Sequence, residues 1–156
     1  MYKKRLTKEQ VLQKLRFYCR YQQRCQSEVK EKLFELGVNK RDHDELIDEL
    51  IKENCFDEER FANAFAIGKF KMKQWGKRKI QYGLKAKRVN DGVIQKALAQ
   101  IAEKDYLKLL EKLTKEKYIS LKHDQYLVRK KKTMDYLVQK GYEMELVKTF
   151  VEKITD

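Results

Sequence analysis

Leu33, Leu84 and Leu137 stand 51 and 53 residues apart, and four positions beyond each comes Gly37, Arg88 or Gly141, followed by Val38, Val89 or Tyr142. A pattern returning at this interval describes a unit too small to cover its own apolar face, so such units have to stack against one another. Proline is absent from all 156 residues. Nothing therefore removes a backbone donor or fixes φ within any segment, and helices can run throughout.

Apolar spacing gives each unit three helices. Val11, Leu12, Leu15, Tyr18 and Cys19 share one face of a first helix, which Thr7 and Gln10 open as a capping box. Val29, Leu33 and Leu36 mark a second, with Ser27 as the expected N-cap and Gly37 able to take the left-handed conformation beyond its end. Leu46, Ile47, Leu50 and Ile51 mark a third, behind an expected capping box of Asp42 and Glu45. The next round runs through Phe61, Ala62, Phe65 and Ala66, then Ile80 and Leu84, then Ile94, Ala97, Leu98 and Ile101. The last runs through Leu107, Leu110 and Leu113, then Met134, Leu137 and Val138, then Leu146, Val147, Phe150, Val151 and Ile154. The fold is therefore read as all-α, with tandem three-helix repeats over 1–56, 57–102 and 103–156. A three-helix unit with a short turn before its last helix is shared by groove-reading helix-turn-helix proteins and by plain scaffolds. In the second unit the last helix is dominated by Leu, Ala and Lys, not by the Arg, Asn and Gln that suit base edges.

Charge is distributed unevenly over these units. The chain carries 37 Lys and Arg against 24 Asp and Glu, a net +13 that makes a polyanion the first partner to consider. Net charge by unit is +3, +7 and +3, and residues 61–90 contain no acid at all. Lys69, Lys71, Lys73, Lys77, Arg78, Lys79, Lys85, Lys87 and Arg88 fill that stretch without the i, i+4 partners that neutralise an ordinary surface helix, and an anion would relieve their repulsion. The binding candidates are Lys69, Lys73, Lys77, Arg78, Lys79, Lys85, Lys87 and Arg88. Trp75 and Tyr82 lie among them and admit two readings, as rings that stack single-stranded bases or as rings packed on the core. A secondary basic patch is read at Arg129, Lys130, Lys131 and Lys132, although consecutive residues point around much of a helix.

Other chemistries lack their residues. Cys19, Cys25 and Cys55 are odd in number, form no C-x-x-C pair, and are expected to be reduced and mostly buried. His43 and His123 are far apart in sequence and suggest no metal site. The few glycines form neither a G-x-S-x-G nor a phosphate loop, so no cofactor and no enzyme activity are expected. The basic start, Met1 to Thr7, leads into no apolar run, so neither signal peptide nor membrane span is expected and the cytoplasm is the expected location.

Several blocks resemble the RecX family of RecA regulators over essentially the whole chain. Arg24-Cys25-Gln26-Ser27-Glu28-Val29 with Leu33 and Gly37 is similar to the opening of that family's second helix. Phe56-Asp57-Glu58-Glu59-Arg60-Phe61-Ala62 is similar to its L-D-D-x-x-F-A signature. Trp75-Gly76-Lys77-Arg78-Lys79-Ile80, with Leu84, Ile94, Ala97 and Leu98, is similar to its G-x-x-x-I block. Asp57 is read as a helix cap, Gly76 as the residue that lets the chain turn, and Lys77, Arg78 and Lys79 as the exposed start of the helix that follows. Arg88 stands where the family often has Gly, and is read as extending the basic surface. The resemblance implies an elongated, curved array of three three-helix units, acting as a monomer without cofactor. It also implies binding to the RecA filament and non-specific contact with single-stranded and possibly double-stranded DNA. Inhibition of ATP hydrolysis and strand exchange would follow, within DNA repair, homologous recombination and the SOS response. A free-standing helix-turn-helix-like DNA-binding protein is the alternative.

Overall fold

A computed structural model describes residues 5–155, so Met1 to Lys4 of the basic start and Asp156 lie outside the described residues. The helices are α1 (Lys8–Tyr21), α2 (Gln26–Glu35), α3 (Lys40–Lys52), α4 (Glu58–Lys73), α5 (Lys77–Ala86), α6 (Asp91–Ala99), α7 (Glu103–Ser120), α8 (Tyr126–Gln139) and α9 (Met144–Thr155). Among the described residues there is no strand. Each helix packs chiefly on the other two of its own set, α1–α3, α4–α6 or α7–α9, giving an all-helical repeat fold.

Local chemistry accounts for the helix boundaries. Thr7 caps α1, its hydroxyl accepting from the Gln10 amide at 3.2 Å while Gln10 Oε1 accepts from the Thr7 amide at 2.9 Å. Asp57 caps α4 by accepting from the Arg60 amide at 2.9 Å. Two expected caps are corrected. Helix α2 starts earlier than Ser27, with Cys25 at its N-cap position and Glu28 accepting from the Cys25 amide, because the Ser27 hydroxyl is occupied elsewhere, donating to the Lys87 carbonyl at 2.6 Å. Helix α3 starts after Asn39, so Asp42 and Glu45 lie within it and form no capping box.

The recurring leucines close their helices in one way. Val38, Val89 and Tyr142 donate their amides to the carbonyls of Leu33, Leu84 and Leu137 at 3.1, 3.2 and 3.1 Å. Between each pair sits a left-handed residue, Gly37 (φ 76°), Arg88 (φ 60°) or Gly141 (φ 102°). The turn geometry thus persists at Arg88 although a side chain there strains it. All three leucines are completely buried.

Two cores result. Val11, Leu12, Leu15, Val29, Leu33, Leu46, Ile47 and Leu50 form one wholly within the first set. The other runs without a break through the second and third sets, from Phe61, Ile80, Leu84 and Ile94 to Leu110, Leu137, Tyr142 and Val151, and takes in Cys25 from the first. Some apolar-face residues fall at the margins of these cores: Ile51 is 47% and Val138 37% exposed. Cys19 and Cys25 are buried free thiols and Cys55 is half-buried, and burial pushes the Cys19 thiol up to about 11.

Candidate polyanion interface

The basic second unit meets the third at the start of α5. Helix α5 opens with Lys77, Arg78 and Lys79 and has no acid in its first turn, which places cations at the positive end of the helix dipole. The third unit compensates. The Gly76 amide donates to the Lys140 carbonyl at 2.8 Å and the Arg78 amide to the Gly141 carbonyl at 2.9 Å. The Lys77 amide donates to the Tyr106 hydroxyl at 3.0 Å, and that hydroxyl donates to the Glu143 carboxylate at 2.6 Å. Burial and this carboxylate push the Tyr106 phenol well above its ordinary range, so it remains a neutral relay.

The exposed start expected for α5 holds only at Arg78: the amides there are consumed in a seam, and Lys77 and Lys79 are half-buried. The role of Gly76 changes too. Its φ of −75° is open to any residue, but a Cβ there would run into the backbone of Gly141 and Tyr142. Glycine serves close approach here, not the turn.

Around this seam lysines lie over aromatic rings. The Lys69 and Lys79 ammonium groups stand 5.0 and 4.8 Å from the Trp75 ring centroid. Lys79 neighbours Lys140, and burial together with that like charge holds Lys140 below the usual lysine range. Lys140 and Lys117 stand 5.7 and 4.7 Å from the Tyr136 ring. Among the described residues none of these four lysines is ion-paired. The result is a stripe, Lys69–Trp75–Lys79–Lys140–Tyr136–Lys117, that crosses from the second unit into the third. Such cation–π pairs leave the ammonium donors able to turn to a phosphate.

The sequence candidates divide around it. Arg78, Tyr82 and Lys85 are exposed at i, i+4 and i+7 on α5, and Tyr82 is 72% exposed. The two aromatic readings are thus split, Tyr82 offering an open ring and Trp75 packing on the core edge. Lys73 is exposed at the end of α4, and its carbonyl accepts from Lys140 Nζ at 3.2 Å. Arg88 is exposed, whereas Lys87 is paired with Glu28 at 3.3 Å in the contact between first and second units.

The secondary patch is not gathered on one face. Arg129 donates through Nε to the Tyr118 carbonyl at 2.7 Å and lies 3.5 Å over the Tyr118 ring. Arg24 does the same to Tyr18, at 3.0 and 3.7 Å. Lys131 pairs with Asp135 and Lys132 with Asp124, at 3.4 and 3.0 Å, and Lys130 is half-buried. Sequence reasoning missed Lys117, Tyr136 and Lys140. The i, i+4 spacing of Tyr136 and Lys140 was the available signal, but counting charge along the chain cannot show two units meeting.

Helix α6, where a groove-reading protein would carry its base contacts, has one cation, Lys96, 3.7 Å from Glu59. Among the described residues no group of His, Cys, Asp or Glu could hold a metal ion, and no helix is long and apolar enough to cross a membrane.

Comparison with known proteins adds to this geometry. Residues 57–98 match the family model of the RecX second three-helix domain and residues 103–151 that of the third, together more than half of the chain. Regulatory protein RecX of Leuconostoc mesenteroides is 24% identical over 127 residues, 81% of this chain and 48% of that protein. RecX of Oceanobacillus iheyensis is 27% identical over 134 residues, 86% of this chain and 49% of that protein. The chain thus spans about half the length of these two relatives. The crystal structure of RecX from Lactobacillus salivarius superposes with a TM-score of 0.81 at 21% identity, covering 94% of this chain and 95% of that one. A second crystal structure, of regulatory protein RecX, gives a TM-score of 0.84 at 19% identity over 93% of this chain and 73% of that one.

Proposed function

The chain belongs to the RecX family of regulatory proteins, and from that premise we propose that it restrains a RecA-type recombinase by lodging on the recombinase–DNA filament and slowing its ATP hydrolysis and strand exchange. Its setting would be DNA repair and homologous recombination, including the SOS response. The acting species in dilute solution is one chain, without cofactor and without chemistry of its own.

The observation that carries this reading is the lysine–aromatic stripe across the second and third units, with Arg78, Tyr82 and Lys85 exposed on α5. Unpaired ammonium groups among rings suit a flexible phosphodiester backbone with accessible bases. A filament offers such a backbone together with repeated protein subunits, so a modest contact on each adds up. Free-standing groove reading is less well supported, since α6 presents a single, ion-paired cation.

The test is the rate of single-strand-dependent ATP hydrolysis by the cognate recombinase, titrated with this protein. The expected outcome is a fall in rate that excess single-stranded DNA does not restore. Complete recovery on adding DNA would reduce the activity to competition for the strand. Lys79→Glu combined with Lys69→Glu should weaken inhibition at least tenfold, with helical content unchanged by circular dichroism.

A further inference from the structure

In the third unit the start of α5 is received by Tyr106, the fourth residue of α7, and by Lys140, Gly141, Tyr142 and Glu143, which lead from α8 into α9. The same positions in the first unit are Val11, the fourth residue of α1, and Leu36, Gly37, Val38 and Asn39, which lead from α2 into α3. All five of these line one groove of about 640 Å³. Among the described residues, the carbonyls of Leu36 and Gly37, counterparts of the two that accept from α5, accept no main-chain bond outside the helices. Among the described residues, the first unit therefore leaves unfilled the surface that holds a helix start at the other end of the array.

The third unit ends in a helix start. Gln125, at the N-cap position of α8, makes no side-chain cap bond. Tyr126, Leu127 and Val128 in its first turn are 50, 76 and 43% exposed, and Ile119 at the end of α7 is 64% exposed. Helix α8 begins a turn further from Leu137 than α5 does from Leu84, so this apolar turn projects. The groove is open where the internal seam closes on two glycines, and it has room for side chains that the seam could not admit.

We infer that copies of this chain associate head to tail, the α8 start of one entering the first-unit groove of the next and continuing the internal stacking. Charge is compatible with that site. The groove sets Glu35, Asp42 and Glu45 against Arg5, Lys8 and Lys14, a balanced surface on a chain of net +13. It therefore does not repel a tip bearing Lys122, Arg129 and Lys130 as the net charge of the chain would. The two surfaces differ, so the contact is heterologous and each added copy presents a fresh groove.

Sedimentation equilibrium of the protein alone, at ionic strength high enough to screen its net charge, tests this independently of any recombinase or DNA. The weight-average mass should rise continuously with concentration. Leu127→Glu and Asn39→Trp, both at exposed positions, should each weaken association at least tenfold without altering the circular dichroism spectrum. Mixing the two variants should restore a one-to-one complex that grows no further, since each keeps one intact surface. A monomer at every concentration, a plateau at dimer, or growth indifferent to both substitutions would overturn the inference.

Discussion

The chain joins its three units by two seams of different kinds. Between the second and third units the join is main chain and core: the Gly76 and Arg78 amides bond to the Lys140 and Gly141 carbonyls, Tyr142 donates to the Gln74 carbonyl at 2.9 Å, and one apolar cluster runs through both units. Between the first and second the join is mostly side chain. Ser27 donates to the Lys87 carbonyl, the Gln26 amide to the Glu58 carboxylate at 2.8 Å, Lys87 pairs with Glu28, and among the described residues of the first unit only Cys25 crosses into the larger core. A repeat in sequence therefore does not mean a repeat in rigidity. The second and third units share a core and a main-chain seam, and the lysine–aromatic stripe spans that join. The first unit, with its own core, is the part able to open locally.

The substitution expected to do most against this contrast is Gly76→Ala, which sets a methyl group into the backbone of Gly141 and Tyr142 and should cost at least about 3 kcal/mol by denaturant titration. An effect under about 1 kcal/mol would mean that the seam is loose. Next come Leu33→Ala and Leu84→Ala, equally buried and in equivalent positions, each expected to cost about 2–5 kcal/mol. Hydrogen exchange should separate them. Leu33→Ala should speed exchange in α1–α3 alone, and Leu84→Ala throughout α4–α9; identical patterns would show a single cooperative unit. Smaller still is Glu28→Gln, which removes one partner of a half-buried pair and should cost about 1–2 kcal/mol. Its effect should fall on the first seam, leaving exchange in α7–α9 unchanged. Smallest, and opposite in sign, is Arg88→Gly, expected to stabilise by about 0.5–1 kcal/mol in thermal melts by relieving a left-handed side chain.

How far the sequence could be read follows the same division. Leu33, Leu84 and Leu137 and the turns after them were legible because a helix end is decided within a few residues, and Thr7 and Asp57 were legible as caps for that reason. Ser27 misled because its hydroxyl goes to Lys87, distant in sequence. Gly76 misled more instructively: a glycine looks the same whether it frees φ or admits a neighbouring backbone, and only the position of Gly141 tells them apart. Lys87 counted as one cation of a run until Glu28, on another unit, came beside it. Lys117 and Lys140 lay outside the acid-free stretch and joined the stripe only through the packing of the third unit on the second.

Two tyrosine-bound arginines and the lysines of the stripe do different work, while Arg78 and Arg88 stay exposed beside them. Arg24 and Arg129 spend their planar forks inward, each on a carbonyl and a tyrosine ring, whereas the stripe itself holds only lysines. A guanidinium fixes the orientation of what it grips; an ammonium attracts as a point charge and lets go easily. A polyanion drawn to such a stripe would be held without register, free to slip lengthwise by one phosphate at a time.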